Sequence, residues 1–253
     1  MNNSIAEKLE RIARNEQLIY NAGVENGKAE AGESIYDDGM NQGRQDMNAA
    51  MMDAITCNGA KTEYRYAFWG EVWNDELFKP HTVIKPTNFQ NGLYRSSIEY
   101  GAYTDLLDFS NCQNLSAAFM YSTVKKLKVI DARKTTSGFN GMANIFNSCT
   151  QLESIDEFYP SNVSSKAVFS STFANCSALT KLIFKSEISQ AGLDLHWSES
   201  LSKESIESII DNLSTTTSGL TVTISKTAKE NAFTDEEWAS LIATKPNWTI
   251  SLA

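Results

Sequence analysis

Four cysteines are the residues of this 253-residue chain whose type could support chemistry of their own. A cysteine thiolate can bind a metal or act as a nucleophile, and two thiols can form a disulfide. Cys149 and Cys176 are 27 residues apart, without a nearby histidine, and neither they nor Cys57 and Cys112 form a CxxC pair. That spacing is not typical of zinc sites. The N-terminal segment lacks the apolar core of a signal peptide, which favours free thiols over disulfides.

The cysteines belong to a repeat. The pattern F-x-x-C-x-x-L begins at Phe109, Phe146 and Phe173, and a step of 27 residues back from Phe146 reaches Phe119, where Ser122 takes the cysteine position. A period in the twenties indicates stacked supersecondary units that bury one another's apolar faces. Because a free cysteine packs as a small hydrophobe, we interpret the repeated thiols as core filler and not as ligands or nucleophiles.

The apolar positions of the repeat define a predicted core. Its members are Phe119, Phe146, Cys149, Leu152, Ile155, Phe173, Cys176, Leu179 and Leu182. The segments after each repeat motif (127–132, 152–158 and 179–186) are short and rich in apolar and β-branched residues, which predicts strands. The intervening segments are expected to form helical turns or short helices. The expected fold is α+β: a short leucine-rich-repeat-like solenoid with N- and C-terminal caps, preceded by a helical stem.

Residues 1–52 are predicted to form that stem. Ser4 and Glu7 suit a capping box at the start of a helix over 4–21. A heptad-like seam follows it, formed by Ile5, Leu9, Ile12 and Ile19. This seam could pack on its own domain or form a short oligomerising coil, and both interpretations remain open. Glycines then recur in YNAGVENG (20–27) and YDDGMNQG (36–43) and favour a linking segment.

Three further regions complete the predicted domain organisation. Residues 53–105 are rich in aromatic side chains and are expected to cap the first repeat, with a sugar-stacking surface as the alternative. Residues 106–197 hold the repeat units. Residues 198–253 are expected to form a β-α-β C-terminal cap, with Ser202 near the start of one helix and Thr234 at the start of another.

Composition and motifs exclude several functional classes. The net charge of −9 makes nucleic acid a poor partner, and no stretch of the sequence approaches the length of an apolar membrane span. The chain has two histidines and no GxSxG motif. Its carboxylate pairs are adjacent in the sequence, and adjacent side chains point in different directions on a helix, so these pairs do not face each other. We therefore expect no catalytic residue, no cofactor and no metal site, and hence a protein that is not an enzyme.

Three blocks of sequence carry a resemblance to a known family. They are AFWGEVWNDELFKP (67–80), LDFSNCQNLSAAFMYSTVKKLKVIDA (107–132), and the ending formed by 200–228 and 233–253. The repeat units resemble bacterial surface-antigen (BspA-like) leucine-rich repeats. The ordered set of blocks is similar to leucine-rich-repeat proteins encoded in phage and prophage tail regions of gut Firmicutes. The resemblance implies a repeat fold and a tail or surface setting, without implying an activity.

The resemblance leads to a functional expectation. We expect a non-enzymatic phage tail or baseplate component, structural or receptor-binding, located in the virion. Its expected partners are other tail proteins and a host surface protein or glycan, with homo-oligomerisation through the N-terminal helix. The alternative is a bacterial leucine-rich-repeat interaction or adhesin-like module, in the cytoplasm or at the cell surface.

Overall fold

The structure is a computed structural model that describes residues 72–73, 83–98, 107–136, 141–161, 169 and 171–253. The predicted stem (1–52), with Ile5, Leu9, Ile12 and Ile19, lies outside the described residues, as does most of the predicted aromatic cap. The strands of the described residues are β1 (Val72–Trp73), β2 (Ser97–Ile98), β3 (Lys126–Asp131), β4 (Ser154–Tyr159), β5 (Lys181–Phe184), β6 (Leu193–Leu195), β7 (Leu220–Ile224) and β8 (Trp248–Leu252). Its helices are α1 (Lys203–Asp211), α2 (Lys226–Ala232) and α3 (Asp235–Ile242).

Every strand pairing among the described residues is parallel. The pairs form three sheets, of order β1-β2, β3-β4-β5 and β6-β7-β8. Parallel neighbours need a crossover connection between them. In the central sheet the described part of each connection is a run of turns, so each strand and the turns before it make one structural unit. We number these units by their described residues: first (83–98), second (107–131), third (141–159) and fourth (171–184). A fifth (195–208) has the turns, but helix α1 follows them in place of a strand.

The strands of the central sheet lie where the sequence predicted them, but their inward positions are not spaced by two. Leu127 pairs with Ile155, and Ile130 pairs with Phe158, so the buried side chains of β3 and β4 are three residues apart. In β5 the residues that pair with Ile155 and Phe158 are Leu182 and Phe184, which are only two residues apart, so the register with β4 shifts between Ile155 and Phe158. Two consecutive residues of β4, Asp156 and Glu157, therefore separate its two buried residues.

The segments before the strands are turns, and the expected short helices are absent from the described part of them. Alternate backbone N–H groups donate to a carbonyl 26 residues later, in the next unit. The bonds are Leu115 to Gly141, Ala117 to Ala143, Phe119 to Ile145, Tyr121 to Asn147, Phe146 to Thr172 and Ser148 to Ala174, at 2.8–3.0 Å throughout. Because these donors bond to a neighbouring unit, they do not form the i to i−4 bonds of a helix.

Left-handed residues explain why the turns cannot become helical. Two residues in each of four units have positive φ, four positions apart: Asn91 and Arg95, Ala117 and Tyr121, Asn144 and Ser148, Ser171 and Asn175. The left-handed conformation costs a non-glycine residue roughly 1–2 kcal/mol. The hydrogen bonds between units compensate for that cost, and the 27-residue period of the sequence is thereby repeated in the backbone.

Helix α1 covers the open edge of β5. The backbone N–H groups of Leu182 and Phe184 donate to the hydroxyl oxygens of Ser205 and Ser208, at 3.0 and 2.8 Å. The Ser208 hydroxyl in turn donates to the Phe184 carbonyl oxygen at 3.2 Å. Two serine side chains, one helical turn apart, thus replace the backbone of a following strand. An uncovered edge would offer those groups to another chain.

The C-terminal region adds a second three-stranded sheet. Ser202 caps α1, and Thr234 and Glu237 form a capping box at the start of α3, so the predicted helix starts are confirmed. The sequence patterns did not indicate β6 or α2. Lys245, which follows α3, donates from Nζ to the carbonyl oxygens of Asp211 and Leu213 at the end of α1, at 2.9 and 2.6 Å. One continuous cluster of buried apolar residues connects this region with the central sheet.

Candidate functional site

The nine side chains of the predicted repeat core all lie inside the molecule, each with an exposed fraction of 0%. Their phenylalanines stack in a column that runs through the second, third and fourth units. The ring centroids of Phe119 and Phe146 are 5.5 Å apart, as are those of Phe146 and Phe173, with interplanar angles of 26° and 24°. Burying each of these large side chains contributes about 1.5–3 kcal/mol to folding.

The thiols of the repeat are hydrogen-bonded inside this core. Cys149 Sγ donates to the Phe119 carbonyl oxygen at 2.9 Å, and Cys176 Sγ donates to the Phe146 carbonyl oxygen at 3.1 Å. Ser122 lies at the same position of the second unit, with its hydroxyl 3.6 Å from Cys149 Sγ. Each thiol therefore bonds to the carbonyl of the phenylalanine one unit earlier.

Cys112 is buried too, but it does not belong to this column. It precedes Phe119 in the second unit, and its Sγ donates to the Asn114 carbonyl oxygen at 3.3 Å. Its F-x-x-C-x-x-L pattern has the same local turn, with a bond from the Cys112 N–H to the Phe109 carbonyl at 2.8 Å. The sequence pattern thus occurs at two different places around the unit, which only the three-dimensional arrangement distinguishes.

Burial makes the column thiols poor ligands and nucleophiles. Desolvation raises the pKa of Cys149 from 9.0 to about 12, against a smaller lowering by the hydrogen bonds of Ser122. Desolvation also raises the pKa of Cys176, and the neighbouring Cys149 adds to the effect. Because the pKa of each thiol is raised, both residues remain protonated at neutral pH. The reactive species is the thiolate, so neither is activated. Within the described ranges, no group of three or more metal-binding side chains comes together.

A further unit follows the predicted repeats. Leu195, Ser198 and Leu201 reproduce the turn of Phe173, Cys176 and Leu179, with N–H to carbonyl bonds from Ser198 to Leu195 and from Leu201 to Ser198. The Ser198 hydroxyl donates to the Cys176 carbonyl oxygen at 3.2 Å. The expected boundary between residues 197 and 198 falls inside this unit. An L-x-x-S-x-x-L pattern is the sequence signal for it, once leucine and serine are accepted for phenylalanine and cysteine.

In each unit, the residue before the inward-facing thiol or hydroxyl faces outward. We call the row of these outward-facing residues the surface column. Its members are Arg95, Tyr121, Ser148, Asn175 and Trp197, one from each unit. Tyr121 and Trp197 are 44% and 45% exposed, which places them among the most exposed large apolar side chains of the described residues. The column therefore has an aromatic side chain towards each end and small polar side chains between them.

A chain of hydrogen bonds joins the polar middle of the surface column. The Asn175 side-chain amide donates to the Ser148 hydroxyl at 3.2 Å, and that hydroxyl donates to the side-chain Oδ1 of Asn147 at 2.8 Å. The Asn147 Nδ2 then donates to the side-chain Oδ1 of Asn144 at 3.1 Å. Side-chain amides offer both donors and acceptors. The bonds leave the side-chain oxygen of Asn175, an exposed residue, at one end and the amide NH₂ of Asn144, a half-buried residue, at the other.

The aromatic groups at the two ends are held by neighbours. At one end the Arg95 guanidinium lies 5.4 Å and 5.5 Å from the ring centroids of Tyr94 and Tyr121, and the two rings are in edge contact at 5.6 Å. At the other end the His196 ring centroid is 4.4 Å from that of Trp197. His196 Nδ1 lies 2.7 Å from an Asp194 carboxylate oxygen, which fixes the imidazole beside the indole.

The outward face of the central sheet is charged, in contrast to the surface column. Lys126 on β3 lies 3.7 Å from Glu153, and Lys181 on β5 lies 2.8 Å from Asp156 on β4. Basic, acidic and basic side chains thus alternate from strand to strand. Arg133 makes two bonds to the Asp131 carboxylate, at 2.9 and 2.7 Å. Burial alone would raise the pKa of Asp131, but these bonds outweigh it and the pKa is lowered.

A shallow groove lies between α1 and α3. Lys203 lies over the Phe233 ring and donates to Glu237 at 2.8 Å. That bond, together with the Thr234 N–H, lowers the pKa of Glu237 to about 2. Glu237 is also the capping-box residue of α3. Its carboxylate is therefore engaged by the helix start and by Lys203, which makes this groove a structural contact between two helices.

Sequence patterns did not predict the surface column, because its members are of five different residue types. Among the described residues, no helix is long and apolar enough to cross a membrane. Comparison of the chain with protein families, with curated proteins and with solved structures finds no significant match.

Proposed function

We propose that this chain is a non-enzymatic component of a phage tail or baseplate that presents a leucine-rich-repeat-like solenoid outward. The proposal extends the expectation from the sequence, in which three ordered blocks resemble repeat proteins of tail-gene regions. Its architectural basis is the succession of units whose parallel strands and turns bond to the next unit. Such stacking produces an extended, rigid surface suited to contact with a partner.

The observation that carries the proposal is the hydrogen bond from Cys149 Sγ to the Phe119 carbonyl oxygen, repeated by Cys176 and Phe146. This bond shows that the cysteine thiols, the groups of the repeat with the most reactive chemistry, are part of the internal packing. Buried, protonated thiols contribute to a scaffold. The exposed side chains are then the ones that can meet a partner, which favours a structural or receptor-binding role over a catalytic one.

The second candidate is a bacterial repeat module that binds proteins or acts as an adhesin at the cell surface. The surface column favours it equally, since an outward face of aromatic and amide groups serves recognition in either setting. The two candidates differ in where the protein is found. A tail component sediments with particles, whereas an adhesin remains on cells.

Localisation of the native protein tests the choice between them. An antibody raised against the chain would be used to probe phage particles purified on a density gradient after prophage induction, and washed cells of the same culture. The tail proposal expects the chain in the particle band. Its absence from particles, together with its release from intact cells by external protease, would support the adhesin alternative and reject the tail proposal.

Oligomerisation through the N-terminal helix is tested separately, with the full chain. Replacing Leu9 and Ile12 of the seam by glutamate should lower the oligomeric mass measured by light scattering, because charged side chains disrupt a heptad seam. Arg14→Glu is the matched control, since it makes the same net charge change at a heptad position away from the seam. A purified wild-type chain that is strictly monomeric would contradict the oligomer.

A further inference from the structure

We infer that the surface column binds an uncharged, linear oligosaccharide that runs along the stack of units. This inference rests on the proposed presentation of the repeat surface and names the chemical class of its partner. The column is the row of Arg95, Tyr121, Ser148, Asn175 and Trp197, with Asn144, Asn147 and His196 beside it. Two steps of about 4.8 Å between paired strands separate the units of Tyr121 and Asn175, and Trp197 belongs to the unit after them.

The first argument is the combination of groups. An aromatic ring presents a flat, weakly negative face, which suits the C–H face of a pyranose ring. Amide and hydroxyl groups donate and accept at the same time, as sugar hydroxyls do. The Asn175–Ser148–Asn147–Asn144 chain supplies these groups between the two exposed aromatic residues, and it ends in one acceptor and one donor.

The second argument is that the column is already ordered. Tyr121, Ser148 and Asn175 have φ between 58° and 61°, a conformation that aims their side chains outward. The backbone bonds from Tyr121 to Asn147 and from Ser148 to Ala174, at 2.9 and 2.8 Å, fix the distance between successive members. A ligand would therefore bind without ordering the surface, which lowers the entropic cost of association.

Charge distinguishes a neutral glycan from an acidic polymer or nucleic acid. Arg95 is the only arginine or lysine among the column residues and their three neighbours, and its guanidinium lies 5.4 Å and 5.5 Å from the ring centroids of Tyr94 and Tyr121. Asp194 lies against His196 at the other end. A polyanion needs several cationic contacts along its length. The chain as a whole has a net charge of −9, which opposes any polyanion further.

A protein partner fits the column less well. Stable protein interfaces contain a contiguous apolar centre of substantial area. The large apolar side chains exposed on the described residues are Val83, Tyr121, Val129, Trp197 and Leu252. They are spread over separate parts of the fold, and the two on the column are separated by polar units. Small polar groups between separated aromatic faces match the repeating chemistry of a sugar chain.

The experiment uses the purified full chain on an array of neutral and acidic glycans, followed by calorimetric titration with the best-bound neutral oligosaccharide. We expect binding to neutral chains, and we expect the affinity to increase from a disaccharide to a tetrasaccharide, because a longer chain is needed to contact both aromatic residues. Trp197→Ala and Tyr121→Asn should each weaken binding at least tenfold. Asparagine is chosen at 121 because it tolerates positive φ and already stands at the equivalent position 175.

Val129→Ala is the matched control. Val129 is 39% exposed on β3 of the same unit as Tyr121, so its truncation also removes exposed apolar surface. It should leave both the affinity and the melting temperature unchanged. Trp197→Phe should retain most of the affinity, because it keeps an aromatic face. Absence of neutral glycan binding, binding to acidic glycans alone, or equal affinity in Trp197→Ala and wild type would overturn the inference.

The two proposals fail separately. Glycan binding is measured on the purified chain without particles, so an adhesin would pass this test as well as a tail protein. Conversely, a chain found in particles that binds no neutral glycan would keep the proposed function and reject the ligand class.

Discussion

The Sγ atom of Cys149 lies 2.9 Å from the carbonyl oxygen of Phe119, the residue that begins the equivalent turn one unit earlier. The phenylalanine rings on which this turn depends are stacked with centroids 5.5 Å apart. The thiol thus connects two units by a hydrogen bond while filling the space beside the rings.

The buried thiols should resist labelling in the native protein. Cys112, Cys149 and Cys176 are all buried free cysteines, so a Cys57→Ser variant would contain only protected thiols. We expect a water-soluble thiol reagent to modify this variant roughly a thousandfold more slowly in buffer than in denaturant, because reaction requires unfolding. Mass spectrometry counts the labels. Rapid modification of the folded variant would mean that the thiols are not in the core.

Alkaline pH should weaken the fold through Cys149. Its folded pKa of about 12 is above the ordinary value of 9.0, so the native state holds a proton that the unfolded state has lost between these pH values. The stabilisation is complete below about pH 9 and is lost as pH rises, by about 1.4 kcal/mol per pH unit. Denaturant titrations between about pH 8 and pH 10.5 measure the free energy of unfolding.

Cys149→Ser is the control for that pH dependence. Serine does not titrate in this range, and its hydroxyl keeps the Phe119 carbonyl as a partner. We therefore expect a cost of only about 1 kcal/mol at neutral pH and a shallower loss of stability above about pH 9. Identical slopes for the variant and the wild type would show that Cys149 is not the group that loses its proton on unfolding.

Removing the serine hydroxyls of α1 should expose the edge of β5. Ser205→Ala leaves the Leu182 N–H without its 3.0 Å acceptor in a buried place. An unsatisfied buried donor costs about 1–3 kcal/mol, and the double variant with Ser208→Ala should cost more and aggregate more readily. Thermal melts and light scattering measure the two effects. Ser200→Ala, at an exposed position before the helix, should match wild type.

Reversing the charge of Asp156 on the central sheet should show that the alternation of basic and acidic side chains between strands stabilises the fold. Asp156→Lys places a cation beside Lys181, its present partner at 2.8 Å, and should lower the melting temperature at low salt. The effect should shrink as salt is added, because the pair is exposed. The exchanged variant, Asp156→Lys with Lys181→Asp, should recover the lost stability. Equal melting temperatures for the single and exchanged variants would show that the pair does not contribute.

Local sequence patterns predicted several elements because each depends on nearby residues. Thr234 and Glu237 are three residues apart, and that spacing alone allows the reciprocal bonds of a capping box. The strands β3, β4 and β5 follow from short apolar runs. The turn segments are predicted as helical turns or short helices because apolar spacing cannot report φ. The positive φ of Ser148 accompanies a bond from its N–H to Ala174 in the next unit, which lies far away in the sequence.

The sequence by itself determined the 27-residue repeat of phenylalanine, cysteine and leucine. It also determined that the units stack, because identical side chains at a fixed interval can fill one common interior only by stacking. Tertiary structure alone decided which surface that stacking creates. Tyr121, Ser148, Asn175 and Trp197 share no residue type, and they form a row because each precedes an inward-facing thiol or hydroxyl in its own unit. Burial repeats a residue type because the core restricts size and polarity, whereas solvent imposes no such restriction on the outward positions.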